Sequence, residues 1–176
     1  MRPDRRAEFL DSERPVVLIH VDGRCEAARG GSRLNAAEAV TAAEVVRELK
    51  RLGVEGRRIG VIAPYRAQRA RIREELEDED VEVGTVDSYQ GREKDVIVFS
   101  VTATGDLKFV ANPNRLNVAF TRAREKLVVL GNAQSIAGRG ETLLAEFLRY
   151  VDERRGLYDW GRRAWTTLEE LTRDIL

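Results

Sequence analysis

The densest collection of chemically able side chains lies between two apolar runs. Asp87-Ser88-Tyr89-Gln90-Gly91-Arg92-Glu93-Lys94-Asp95 gathers carboxylates, hydroxyls, an amide and cations in one short stretch. Groups of these types bind phosphate, sugar or base. Before them, Val81-Glu82-Val83-Gly84-Thr85-Val86 alternates apolar and polar residues. After them, Val96-Ile97-Val98-Phe99 is continuous, the pattern of a strand covered on both faces. In open α/β sheets ligands settle beyond the carboxyl ends of strands, where polar loops of this kind collect.

Other chemically able residues are weaker signals. Arg115 and Arg122 are seven apart, which places them on one side of an expected helix, beside its apolar stripe. An arginine held there is well placed to reach across a cleft. Arg66, Arg69, Arg71 and Arg73 read as a solvated basic face answered by Glu74 and Glu75; the competing reading is a patch that touches a nucleic-acid backbone. Glu77-Asp78-Glu79-Asp80 resembles an acidic pair that holds magnesium, but it follows a helix and precedes a strand, so it reads as a solvated loop. His20, the single histidine, has no partner ligands at metal-binding spacing, and Cys25 stands alone in a Gly/Arg-rich loop. A metal-dependent nuclease built from Asp87, Glu93, Lys94 and Asp95 is a third idea. Glu93-Lys94-Asp95 lacks the Glu-x-Lys spacing that would aim both side chains at one metal.

The elements that must position these residues follow from periodicity. Residues 1–14 are charged and polar, a loose lead-in in which Phe9 and Leu10 could dock. A buried strand is expected over Val16–Val21. Asn35 with Glu38 three residues on gives a capping box for a helix carrying Ala39, Ala42, Val46 and Leu49, and Gly53 stops it. Ile59–Ala63 is the next strand, ended by Pro64-Tyr65, and a helix from about Arg66 carries Ile72 and Leu76. Asn112-Pro113 starts a helix with the stripe Leu116, Ala119, Phe120 and Ala123. Lys126–Gly131 is another buried strand, and a further helix carries Leu144, Phe147, Leu148 and Val151. Strands and helices alternate, which argues for a mostly parallel sheet with helices on both faces. The chain divides into a lead-in with the first strand (1–30), a main body (31–155) and a helical appendage holding Trp160 and Trp165 (156–176).

Composition sets limits. At 176 residues the chain is one domain with room for a sizeable core. Lys+Arg and Asp+Glu cancel at 30 each, so any nucleic-acid binding must come from local patches. One cysteine excludes an intramolecular disulfide and a multi-cysteine zinc site. No apolar run is long enough for a membrane span and the first residues lack a signal-peptide core, so the expectation is a cytoplasmic protein with no membrane partner. The chain has no G-x-x-x-x-G-K-[ST] phosphate loop, no HExxH and no G-x-S-x-G elbow. Its polar loops look like half of a site.

Three blocks carry a resemblance. IGVIAPYRAQ (59–68), TVDSYQGREKDVIVFS (85–100) and NRLNVAFTRAREKLVVLGN (114–132) resemble motifs IV, V and VI of the C-terminal motor domain of superfamily 1B helicases, the nonsense-mediated-decay type and its DNA-helicase relatives. The resemblance spans roughly 30–150 and implies a three-layer α/β/α RecA-like domain that lacks its own phosphate loop. In that family two RecA-like domains clamp ATP and magnesium, and the first carries the phosphate loop and the acidic pair. It implies that Arg122 is the arginine finger, that Glu93 accepts a hydrogen bond from the ribose, and that Gln90 and Gly91 form the turn beside the nucleotide. Pro64, Tyr65, Thr85 and Ser88 match the face that holds single-stranded DNA or RNA, while Arg115 and Arg124 match structural positions. No metal ligand is implied in this chain. Ala63 stands where a threonine is common, which removes one phosphate donor, and the family's Gln-Tyr-Arg adenine motif belongs upstream of these residues. The function so implied is the second motor domain of an ATP-dependent helicase or translocase, inactive in hydrolysis without the first domain. The alternative is a non-catalytic RecA-like module that binds nucleic acid or protein.

Overall fold

Runs of β-branched and other large apolar residues form the four central strands, each buried along most of its length. The computed structural model describes residues 5–89, 92–138 and 140–173. Its strands are β1 (Val16–His20), β2 (Glu26–Ala27), β3 (Arg33–Leu34), β4 (Ile59–Ile62), β5 (Glu82–Gly84), β6 (Lys94–Ser100), β7 (Ala123–Gly131), β8 (Leu157–Asp159) and β9 (Ala164–Trp165). Its α-helices are α1 (Ala36–Arg51), α2 (Arg66–Leu76), α3 (Pro113–Phe120), α4 (Ala133–Ala137), α5 (Leu143–Glu153) and α6 (Leu168–Arg173).

Seven strands make one sheet in the order β5-β4-β6-β7-β1-β8-β9. All neighbours are parallel except β8 and β9. Helices α1 and α2 cover one face through Ala39, Val46, Leu49, Ile72 and Leu76. Helices α3 and α5 cover the other through Leu116, Ala119, Leu144 and Leu148. The result is the three-layer α/β/α RecA-like arrangement. A separate antiparallel hairpin, β2–β3, leads into α1.

Local chemistry sets the helix ends. Asn112 Oδ1 accepts from the backbone N–H groups of Asn114 (3.0 Å) and Arg115 (3.2 Å), and Pro113 fills the first helical position of α3. Beyond α1 the chain turns at Gly53, whose φ of 98° lies in the left-handed region. At the sheet edge, Arg73 of α2 donates to the backbone carbonyl of Val83 in β5 at 2.9 Å.

Two expectations are corrected at the chain's ends. The lead-in is docked: Phe9 is fully buried, its ring 5.3 Å from that of Tyr158 and 5.6 Å from that of Trp160. Lys126 holds the turn after it, with Nζ donating to the carbonyls of Asp11 (2.9 Å) and Arg14 (2.7 Å); burial lowers its pKa to about 8. The segment expected as a helical appendage is, over its described residues 156–173, not helical alone. Strand β8 joins the main sheet beside β1, with Leu18 opposite Leu157, and β9 extends it before α6. The aromatic cluster of Phe9, Tyr158, Trp160 and Trp165 explains both differences, because each segment supplies the apolar cover the other lacks.

Phe9→Ala should destabilise the fold by about 3 kcal/mol, as expected for a buried aromatic with no slack around it. Urea unfolding monitored by tryptophan fluorescence reads this; an unchanged midpoint would show that the docking contributes nothing.

Candidate functional site

A parallel strand enters at one end of the sheet and leaves at the other, so the candidate residues sort by end. Pro64, Tyr65, Thr85 and Ser88 follow the carboxyl ends of β4 and β5. Glu93 and Arg122 immediately precede the amino ends of β6 and β7. Gln90 and Gly91 lie outside the described residues.

At the carboxyl end, Pro64 is buried and Tyr65 is only 8% exposed. Tyr65 caps α2 with extended backbone (φ −113°, ψ 134°), and its ring meets Phe109 with centroids 5.1 Å apart. Burial raises the pKa of its hydroxyl, opposed by the positive charges of Arg33 and Arg115. The Thr85 carbonyl accepts from both the backbone N–H (3.1 Å) and the hydroxyl (2.9 Å) of Ser88, so this turn is closed on itself. The buried Tyr89 then crosses against β4 and β5. A Cβ on Gly60 would come within 2.8 Å of its hydroxyl, and one on Gly84 within 2.9 Å of its ring, so glycine is required at both points. Its hydroxyl donates to the carbonyl of Glu82.

At the amino end, the Lys94 N–H donates to the carbonyl of Arg122 at 2.9 Å, and Lys94 stands opposite Ala123 in the sheet. Glu93 and Arg122 therefore flank one backbone junction. Glu93 Oε2 accepts from Arg124 Nε at 3.0 Å, an exposed pair. Arg122 is half-buried, and its Nε is buried without a hydrogen-bond partner. An orphaned guanidinium donor is costly unless something else satisfies it, and a bound anion would do so.

The expectation that Arg115 and Arg122 share one side of a helix is corrected. Helix α3 ends at Phe120, where the Thr121 hydroxyl donates back to the carbonyls of Asn117 (2.7 Å) and Val118 (3.2 Å). Ala123, expected on the helical stripe, opens β7 instead. Strand pairing with β6 takes over at that point. Arg115 thus stands in the first turn of α3, near the carboxyl end, and Arg122 at the opposite end.

A buried polar cluster near the carboxyl end was not legible as such. Asn35 Oδ1 accepts from the Glu38 N–H (3.2 Å), but the Glu38 side chain does not return to the Asn35 N–H, which Gln68 Oε1 takes at 2.9 Å. The capping-box reading is therefore half right. The Glu38 carboxyl instead accepts from the Thr102 N–H (2.9 Å), the Ser100 hydroxyl (3.0 Å) and Asn35 Nδ2 (2.9 Å). Thr102 has φ 71°, an uncommon conformation for a β-branched residue. The cluster thus fixes the chain as it leaves β6 for the loop that carries Phe109. Burial pushes the Glu38 carboxyl up to about 8, against the opposing effect of the bonds from Thr102 and Ser100.

Among the described residues no group of three His, Cys, Asp or Glu side chains is arranged to hold a metal ion, and no helix is long and apolar enough to cross a membrane. The acidic run Glu77–Asp80 lines an open cleft of about 690 Å³ with Arg73 and Val83 at the sheet edge, away from Arg122.

Fold and motif order define the class as a RecA-like helicase motor domain. The chain belongs to the AAA domain family, whose AAA_12 profile matches residues 2–134, and it corresponds to the C-terminal motor domain of superfamily 1B helicases. It is 42% identical over 136 residues to the ATP-dependent helicase NAM7 of Saccharomyces cerevisiae, covering 70% of this chain and 14% of that protein. It is 37% identical over 130 residues to the DNA polymerase alpha-associated DNA helicase A of the same yeast, covering 70% and 19%. It is 35% identical over 159 residues to regulator of nonsense transcripts 1 of Caenorhabditis elegans, covering 83% and 15%. The chain therefore spans less than a fifth of the length of these relatives.

The Glu38 cluster has a defined pH signature. Its folded pKa lies above the ordinary carboxyl value of 4.5, so the folded state binds the extra proton and stability falls as pH rises from about 4.5 through 8. Glu38→Gln removes that proton and loses the Asn35 bond, costing about 1 kcal/mol at pH 5. At pH 9 the variant should be the more stable of the two. Urea titrations at the two pH values measure this, and parallel pH dependence in both proteins would contradict the assignment.

Proposed function

We propose that this chain is the second motor domain of an ATP-dependent helicase or translocase. The observation that carries the reading is the unpartnered Arg122 Nε, held at the same edge as Glu93 in a chain of this family. ATP is the substrate, and its phosphate loop and magnesium-holding acidic pair come from a first RecA-like domain. Arg122 places its guanidinium against the γ-phosphate and stabilises charge in the transition state, an effect of about 1,000-fold or more. Glu93 exchanges its exposed pair with Arg124 for a ribose hydroxyl, a swap of one weak surface contact for another of similar strength. Gln90 and Gly91 complete the turn beside the nucleotide.

The strand-binding residues belong to the other end of the sheet. Thr85 and Ser88 contact phosphates of single-stranded DNA or RNA without reading sequence, and Pro64 and Tyr65 shape the surface beside them. Closing of the two domains on ATP and reopening after hydrolysis is then transmitted along the rigid strands β4 to β7 to the bound strand. Alone, the chain turns over no ATP.

The test joins this chain to its first domain and follows ATP hydrolysis in the presence of single-stranded nucleic acid. Turnover should appear only with both domains present, and Arg122→Ala should lower it by about 1,000-fold. Because Arg122 Nε has no internal partner, that variant should fold with an unchanged thermal midpoint. Wild-type turnover in the variant would remove the finger assignment.

A further inference from the structure

Near the carboxyl end of the sheet an aromatic ring is left facing solvent. Phe109 is 42% exposed, whereas Phe9 and Phe99 are buried and Phe120 and Phe147 are partly covered by one another at 4.7 Å between centroids. The guanidinium carbon of Arg115 lies 3.8 Å from the Phe109 ring centroid, and Tyr65 packs beside the same ring at 5.1 Å. Among the described residues no carboxylate pairs with Arg115; its side chain's one hydrogen bond, 3.4 Å to the Phe109 carbonyl, is long. Its guanidinium is therefore not held in an ion pair, although Asp106 and Arg115 both act on the adjacent Tyr65, and its planar group is oriented by an aromatic ring. Elsewhere the exposed Tyr150 also carries an arginine, Arg154, but they lie in and just after the last turn of α5, which runs toward the opposite end of the sheet.

Three further observations fix the Phe109–Arg115 pair in place. Asn112 caps α3 on the Arg115 N–H at 3.2 Å, so the arginine backbone is set by the helix start. Tyr65 is buried and anchored in the core, so the ring beside Phe109 does not move away. The Glu38 cluster fixes the exit of the loop at Thr102. An oriented planar cation outside any ion pair, on an exposed ring, is the surface on which a nucleobase stacks, because every base has a π-face and the guanidinium adds attraction to it.

We propose that Phe109 and Arg115 form a stacking platform for one base of a bound single strand. The platform rests on the reading that this end of the sheet holds a single strand, and it adds a contact to the base where Thr85 and Ser88 supply contacts to the backbone. Stacking is tolerant of sequence, so the platform grips a base without selecting it. A lysine at position 115 would keep the charge and lose the plane, and a leucine at position 109 would keep bulk and lose the ring.

The experiment compares binding of the 176-residue chain to a fluorescent oligothymidine and to a strand of equal length made of abasic sites, by polarisation. The wild type should prefer the thymidine strand by about tenfold. Arg115→Lys and Phe109→Leu should each erase that preference while leaving affinity for the abasic strand unchanged. A strand carrying 2-aminopurine should show quenching on the wild type and little on either variant, a signal that a purely structural role would not move. Thymidine binding equal to wild type in both variants, or an equal loss on both strands, overturns the platform. A wild type that binds both strands equally overturns it too and leaves the strand-binding reading standing. A wild type that binds neither strand ends both.

Discussion

One backbone hydrogen bond, from the Lys94 N–H to the Arg122 carbonyl, organises the amino end of the sheet. It starts the β6–β7 ladder, which then runs in register to Ser100 opposite Leu130 with a shift between Lys94 and Val96. Because the pairing is parallel, both strands enter at the same end, and Glu93 and Arg122 are brought together by the backbone without either side chain contributing. The same geometry forces the chain to cross back through α3. Eight helical residues carry it from the Asn112 cap to the Thr121 turn, about 12 Å at 1.5 Å per residue. Two arginines that are close in sequence therefore stand at opposite ends of the domain.

The carboxyl end depends on a different kind of restraint. Glu38 is fully buried, and a carboxyl group there is tolerated only because three donors converge on it and because burial favours its protonated form. Through Asn35, Gln68, Ser100 and Thr102 the cluster joins α1, α2 and the exit of β6. A well-satisfied polar cluster in a core is directional in a way that apolar packing is not. Here it sets the strained Thr102 backbone and with it the path of the loop to Phe109.

Much of this architecture is legible in the amino-acid order. The four buried strands announce themselves by continuous apolar runs, and α1 and α3 by Asn35 and by Asn112-Pro113, because these signals are local. What escapes the sequence is long-range. The Glu38 side chain looks like half of a capping box, since nothing nearby indicates that Thr102, 64 residues on, receives it. Arg122 falls beside the extrapolated helical stripe because Leu116, Ala119, Phe120 and Ala123 keep the period to the last residue. Only the competition from strand pairing breaks it. Phe9 and the β8–β9 segment look peripheral for a related reason: each has too little apolar surface to form an element alone, and the aromatic cluster they build together is visible only in space. Glu93, Arg122, Thr85 and Ser88 could be picked out as residues; their division between the two ends of the sheet could not.

The contact between Arg73 and Val83 bears on how this domain keeps company with its own kind. Strand β5 is three residues long and terminates the sheet, and the Gly84 carbonyl is turned inward to Ala63. Alternation along a strand then turns the Val83 carbonyl outward, and the Arg73 guanidinium occupies it. A border so short and already occupied by a cation offers a foreign peptide little to zip onto, so crowded molecules of this protein are steered away from sheet-to-sheet polymerisation.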